Sequence, residues 1–324
     1  MHIRLLEERD LPALAHLREV VRLCDVPWLH RITVDQLRGE LRHGHDGEPP
    51  VCFLGLLDDG TVVAEGLMHL SEWDNQDLAW LHVTVHPDHR RRGLGTRMWQ
   101  HLGERSAGAG RSRVGASAWE GSAGVGFLEG LGLSPRAVGV LSRQYRDELD
   151  LLQVRRLRDD AAGHATAYEV LVLDGPTPED RLEDLAALAA SINDAPMDEL
   201  DYEDEVYDAA RLRDFEVANE ARNRDLHRAV AVERATGSWV GHTVVVVERE
   251  TPAVGHQLDT TVMGEHRGSR LGVLLKASMV LHLAEARPQL RTLDTWNAAS
   301  NSNMVRVNEQ LGYRALARQI DFQQ

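Results

Sequence analysis

Cysteine is nearly missing from this chain of 324 residues: only Cys24 and Cys52 occur. They form neither a metal-ligand spacing nor a disulfide framework, so both are expected to be buried apolar residues. Long apolar runs are missing too, and no segment approaches the length that spans a bilayer. The start, MHIRLLEERD, is charged at once and has no apolar core of a secretion signal. Positive charge is scarce: 36 Lys and Arg stand against 51 Asp and Glu, a formal net charge of −15. That balance argues against nucleic acid or an anionic membrane as partner, since both need basic surfaces, and mildly favours cationic substrates. The expectation is a cytoplasmic, soluble protein, a monomer or homodimer. With this length and 43% hydrophobic residues, two domains fit better than one.

Against that acidic background stands Val83–Met98, VTVHPDHRRRGLGTRM. An apolar strand runs into Pro87, then Arg90, Arg91 and Arg92, then Gly93-Leu94-Gly95-Thr96. Leu94, Met98 and Leu102 follow at four-residue spacing, the mark of a helix face. A Gly-rich turn that opens a helix is an anion site. The helix's first N–H groups have no intrahelical partner, and the positive end of its dipole favours negative charge. Gly93 and Gly95 let the backbone approach a phosphate closely.

Taken in order, the first half reads as a strand (2–8), a helix opened by Asp10 and Pro12, and a second helix from Val34 to Leu41. A hairpin over 51–70 turns at Asp58-Asp59-Gly60. Strand 78–85 feeds the glycine loop and its helix; strand 112–118, a short helix ending at Gly132 and a last strand follow. Residues 150–166 are polar and alanine-containing and read as a partly helical connector. The second half then repeats this order from Tyr168. Gly60 and Gly237, Arg90 and Arg267, and Gly95 and Gly272 are each 177 residues apart, which marks an internal repeat.

The pattern Arg90-x-x-Gly93-x-Gly95 resembles the pyrophosphate loop of the GCN5-related N-acetyltransferases (GNAT), Arg/Gln-x-x-Gly-x-Gly/Ala. The order of elements over 1–150 is similar to that family's as well, and tandem members such as mycothiol synthase look similar in architecture. The resemblance implies an α/β fold of two tandem GNAT-type domains, each a mixed, mostly antiparallel sheet flanked by helices. They would span 1–150 and 167–324, with 151–166 between them. It further implies acetyl-CoA as cosubstrate and direct attack of a small-molecule amine on the thioester. Two other readings are a transferase for longer acyl groups or peptide amines, and a non-catalytic acyl-CoA binder or sensor.

Carried over residue by residue, the loop positions Arg90, Arg91, Arg92, Gly93, Leu94, Gly95 and Thr96 would hold the diphosphate. Backbone N–H groups around Val83 and Val85 would polarise the acyl carbonyl. The second copy offers Thr261 and Val262 for the carbonyl and Arg267, Gly268, Ser269, Arg270, Leu271 and Gly272 for the loop. It departs from the pattern at Arg270, which stands where the first copy has Gly93. Asn297 and Asn308, with Leu311-Gly312-Tyr313, match the family's pantetheine side; Ser117 or Trp119 falls near the Asn297 position in the first copy. The family often places a Tyr four residues before the last helix's glycine as acid, but those positions are Leu128 and Asn308. For the base, the residue eight before the loop arginine is His82 in the first copy and Asp259 in the second. The acidic run Met197–Asp208, with Tyr202 and Tyr207, is expected to be a solvated loop or a field that attracts a cationic acceptor.

Overall fold

The computed structural model describes residues 1–324. It separates into two compact units: Met1–Ala137 with Glu199–Glu203 and Gln319–Gln324, and Val138–Asp198 with Asp204–Arg318. The boundaries expected at 150 and 167 therefore shift. Most of the strand after Gly132 is built into the second unit, and the chain's last residues are built into the first.

In the first unit, strands β1 (His2–Leu5), β2 (Val51–Leu56), β3 (Val62–Leu70) and β4 (Leu78–Val85) form an antiparallel meander. Strand β5 (Arg113–Trp119) pairs parallel to β4, and Gln319–Gln323 at the chain's end pair antiparallel to β5. Alternation of side chains sorts the two faces. Cys52, Leu54 and Leu67 pack under helices α1 (Leu11–Asp25) and α2 (Val34–His43). Phe53, Met68 and Leu81 pack under α3 (Leu94–Gly108), while Ala116 and Ala118 meet α4 (Ala123–Gly130). Helix α2 starts on a capping box, Thr33 and Gln36 exchanging side-chain and backbone bonds. Cys52 is buried as expected, whereas Cys24 is exposed on α1.

The second unit repeats the arrangement. Strands β7 (Tyr168–Asp174), β8 (Arg224–Glu233), β9 (Trp239–Glu248) and β10 (Val254–Val262) are antiparallel, and β11 (Thr292–Ala298) is parallel to β10. Strand β6 (Ser134–Tyr145) pairs with β11 from Thr292↔Tyr145 to Ala298↔Gly139. The segment read as a partly helical connector is helix α5 (Leu151–His164), and it is built into the second unit: its Val154 and Ala161 are buried in the same core as α8 (Leu271–Ala286). That cover explains why α8 is apolar almost all round. Helices α6 (Leu182–Ala189) and α7 (Ala209–Ala221) occupy the other face, and α9 (Ser302–Gln310) precedes β12 (Tyr313–Gln323). The sequence reading omitted β12. No helix is long and apolar enough to cross a membrane.

Residues 199–203 of the acidic run form a largely exposed loop, as expected of a solvated segment, and the loop is tethered to the first unit. Asp201 pairs with Arg113, Glu203 and Asn75 exchange hydrogen bonds, and Tyr202 stacks on Trp80 at 6.0 Å. Tyr207, in the second unit, donates to Glu205 at 2.6 Å and lies under the Arg211 guanidinium.

Candidate active site

The glycine loop of the first unit follows from its backbone. Arg91 and Gly93 both adopt left-handed conformations, φ 60° and 75°. The first bond of α3 runs from the Arg97 N–H to the Gly93 carbonyl at 3.1 Å. The N–H groups of Leu94, Gly95 and Thr96 therefore lead out of the helix without intrahelical partners. Arg91 and Arg92 are exposed beside them. Arg90 has a different task from the one expected. Its Nε–H donates to the Val85 carbonyl at 3.0 Å and its other nitrogens clamp both Asp25 oxygens, at 2.9 and 2.5 Å. Arg90 is a strut that ties the end of α1 to the end of β4 and so sets the loop's position.

Next to the loop the sheet opens. Parallel pairing of β4 with β5 stops at Trp80↔Gly115. The His86 N–H bonds the Val63 carbonyl on β3 at 2.9 Å. Strand alternation then turns the N–H groups of Val83 and Val85 the other way, into the opening. A cavity of about 850 Å³ occupies this space, reaching from Gly93–Thr96 past Val83 and Val85 to Arg18, Glu65, His69 and His82. Ser117, Trp119 and Gln319 also line it. Gln319 was invisible to the sequence reading because its strand was not recognised.

The far end of the cavity is charged but internally paired. Glu65 is 2% exposed, and Arg18 grips it through Nε and a terminal nitrogen (2.7–3.2 Å) while reaching Glu40 at 3.1 Å. Burial opposes the charge on Arg18, but Glu65 and Glu40 outweigh it and hold its pKa above the ordinary value. His82 lies edge-on to His69, ring centroids 5.4 Å apart. Burial first, then His69 and Arg18, push the His82 pKa down to about 3. Its surroundings thus disfavour the protonated imidazole and make His82 a weaker candidate for the base than expected, since an effective base has a pKa near the working pH.

In the second unit the loop keeps its backbone while its residues trade places. Gly268 and Arg270 take the two left-handed positions, φ 85° and 58°. Arginine at such a position costs about 1–2 kcal/mol relative to glycine. The Arg270 side chain is turned onto Asp160 of α5. Arg267 repeats the strut, donating to the Val262 carbonyl at 2.9 Å and to Asp194 at 2.6 Å. The first α8 bond joins the Leu274 N–H to the Arg270 carbonyl, leaving the N–H groups of Leu271 and Gly272 ahead of it, next to Ser269. Parallel pairing of β10 with β11 stops at Gln257↔Thr295, so this sheet opens as well. The Met263 N–H bonds Val240; by alternation the Val262 N–H faces the opening and that of Thr261 faces β9. The Thr261 hydroxyl is held by Ser191 at 2.6 Å.

Asp259 sits at a register shift of β10 between Gln257 and Thr260, where water reaches it. Desolvation and the charge of Glu205 raise its pKa to about 6, against the opposing pull of Arg228. Asn297 and Asn308 are brought together, but onto each other: Asn308 Nδ2–H donates to Asn297 Oδ1 at 2.6 Å, and the buried Asn308 Oδ1 is left without a partner.

Comparison with known proteins agrees with this architecture. Residues 16–136 match the acetyltransferase (GNAT) family. Over the whole chain the fold is similar to a tandem GNAT protein from the clavulanic acid biosynthesis pathway, with 23% identity, 98% of that chain covered and a TM-score of 0.81. It is also similar to a GCN5-related N-acetyltransferase from Sphaerobacter thermophilus, with 15% identity, 100% of this chain and 95% of that one covered, and a TM-score of 0.68. A third neighbour is the glucosamine N-acetyltransferase region of a fungal multi-domain GH3 beta-N-acetylglucosaminidase. It is 11% identical with a TM-score of 0.70, over 99% of this chain and 38% of that one. No curated protein matches the sequence.

Proposed function

Starting from a chain that carries a GNAT-family acetyltransferase domain at residues 16–136 and a tandem GNAT fold throughout, we propose that its first unit transfers acetyl from acetyl-CoA to the amine of a small molecule. The observation that carries this reading is the continuous cavity of about 850 Å³ from the loop N–H groups to the buried Glu65 end. The residues fit the cosubstrate. Backbone N–H groups of Leu94, Gly95 and Thr96, with the exposed guanidinium groups of Arg91 and Arg92, suit a diphosphate. The opening between β4 and β5 admits an extended chain, and the N–H groups of Val83 and Val85 are aimed where the acyl oxygen would gain charge in the transition state.

Acetyl-CoA supplies the activated acyl group. The protein's contribution is to hold the thioester in the opening and present the amine from the α1–α2 side. Arg18 is neutralised by Glu65 with Glu40 in addition, so this end carries a surplus carboxylate that suits a cationic amine. Calorimetric titration with acetyl-CoA, followed by thiol release with a panel of small amines, tests the reading. Failure to bind acetyl-CoA would refute it, and binding without thiol release would favour a binder or sensor.

One observation favours a second centre in the second unit. Asp259, at a pKa of about 6, is better tuned as a base than His82 and stands on the strand that opens there. Against it, Arg270 occupies the glycine position of the loop and Asn308 donates to Asn297 across the place assigned to pantetheine, so we assign turnover to the first unit.

A further inference from the structure

The wall of the first unit's cavity holds a hydroxyl with one hydrogen-bonding position to spare. Ser117, on β5, donates its O–H to Asp321 Oδ1 at 2.7 Å and accepts the Trp80 Nε1–H at 3.2 Å. A serine hydroxyl has one donor and two acceptor positions, so one lone pair remains. Ser117 lines the cavity and Asp321 stands directly across from it in the antiparallel register.

The face matters as much as the bonds. Ala116 and Ala118 pack toward α4, so Ser117 points to the opposite side of the sheet. On β4, Leu81 packs under α3, while His82 lies opposite Leu67 on the α1–α2 side. Ser117 therefore shares the acceptor's face, two residues past the point where β4 and β5 separate. Its neighbour Trp80 is fixed from both sides. Tyr202 stacks on its ring, and the ring fills the place of a side chain at Gly115, where a Cβ would lie 2.2 Å from it.

We propose that Ser117 and Asp321 form the relay that deprotonates the acceptor amine, in a site completed by the last residues of the chain. The proposal rests on reading the first unit as the acetyltransferase. As the neutral amine nitrogen bonds to the acyl carbon, its proton passes to Ser117 Oγ while the Ser117 proton passes to the Asp321 carboxylate. The carbon–sulfur bond breaks, CoA leaves as the thiolate and takes a proton from solvent, and Asp321 returns its proton to solvent. The hydrogen bond already runs in the direction this transfer needs. Burial raises the Asp321 pKa and the Ser117 hydrogen bond lowers it less, which brings the carboxylate nearer to the range of a useful base. Arg113, on the same strand as Ser117, is paired with both Asp77 and Asp201, and Tyr202 is held on Trp80.

The test compares Ser117→Ala, Ser117→Thr, Asp321→Asn and the parent in the full chain. Acetyl-CoA affinity is measured by calorimetry, and thiol release with amines, and with water alone, is followed across pH. Ser117→Ala and Asp321→Asn are expected to keep the parent's affinity and melting temperature while thiol release falls by about 10²–10⁴-fold. Ser117→Thr, which keeps a hydroxyl, recovers most of the rate. The parent's rate rises with pH as Asp321 ionises, and Asp321→Asn removes that rising limb. Parental rates in Ser117→Ala, or a lowered rate with the limb intact in Asp321→Asn, overturn the relay. A parent that does not bind acetyl-CoA, or binds it and releases no thiol with any acceptor, overturns the acetyltransferase reading and the relay with it.

Discussion

Gly93 and Arg270 occupy the same left-handed backbone position in two copies of one loop, at φ 75° and 58°. The strut arginines confirm the alignment: Arg90 bonds the last carbonyl of β4, and Arg267 bonds that of β10. Loop shape has therefore survived a change that glycine alone would tolerate freely. In the second copy the strain is accepted and the Arg270 guanidinium is used on Asp160.

Gly93→Arg should consequently fold. It is expected to lose about 1–2 kcal/mol from the left-handed backbone of a residue with a Cβ. A modest fall in melting temperature checks this, and a loss of folding would mean that the two loops are not equivalent.

Gly95→Trp should separate binding from folding. A Cβ there would lie 3.4 Å from the Phe127 ring and 3.7 Å from Val85, at the mouth of the opening. A large side chain must project into the space assigned to the diphosphate. Acetyl-CoA affinity is expected to fall at least about tenfold, equivalent to about 1.4 kcal/mol. Unchanged affinity in calorimetry would remove the loop from the site.

Asp259→Asn distinguishes the two units. With turnover in the first unit, the substitution should leave thiol release at the parental rate over the whole pH range. A loss of about 10²–10⁴-fold, with the disappearance of a limb near pH 6, would instead move the base to the second unit.

Lys276 should make the protein's stability depend on pH. It is 2% exposed, in contact with the Tyr313 ring, and burial pushes its pKa down to about 7 from 10.5. Below pH 10.5 the unfolded chain binds this proton while the folded chain does not. The penalty therefore grows as pH falls toward 7 and levels off below it. Lys276→Met should raise stability by up to about 4–5 kcal/mol at pH 7 and below. The gain should fade toward pH 10.5. Denaturant unfolding at several pH values reads this directly, and a gain independent of pH would show that packing rather than charge is responsible.

Arg143 and Asp294 form a bidentate pair at 2.6 and 2.7 Å, each about 7% exposed by side chain. Asp294→Ala leaves a buried guanidinium without its counter-charge and is expected to cost about 3–5 kcal/mol. The double variant Arg143→Met with Asp294→Ala should recover part of that loss in the same unfolding measurement.

Local pattern decided much of this protein. Apolar periodicity placed β4 at Leu78–Val85, and the arginine–glycine run after it placed the start of α3, because a strand, a left-handed turn and a helix N-terminus each have their own local chemistry. The repeated spacing was enough to expect two similar halves. Partners distant in sequence were out of reach. Asp25 claims Arg90 across 65 positions, and Asp321 meets Ser117 across 204. Strand β12, with Arg314, Arg318 and Asp321 among its residues, has no clean apolar alternation; it is a strand because neighbouring strands pair with its backbone. His82 has an ordinary side chain in sequence, and only enclosure beside His69 and Arg18 lowers its pKa. Sequence thus determined which segments could form the loop and the sheet. Tertiary packing decided which charges were already paired, which groups lost their water, and which hydroxyl kept a lone pair facing the cavity, because each of these depends on neighbours that the chain brings together only when folded.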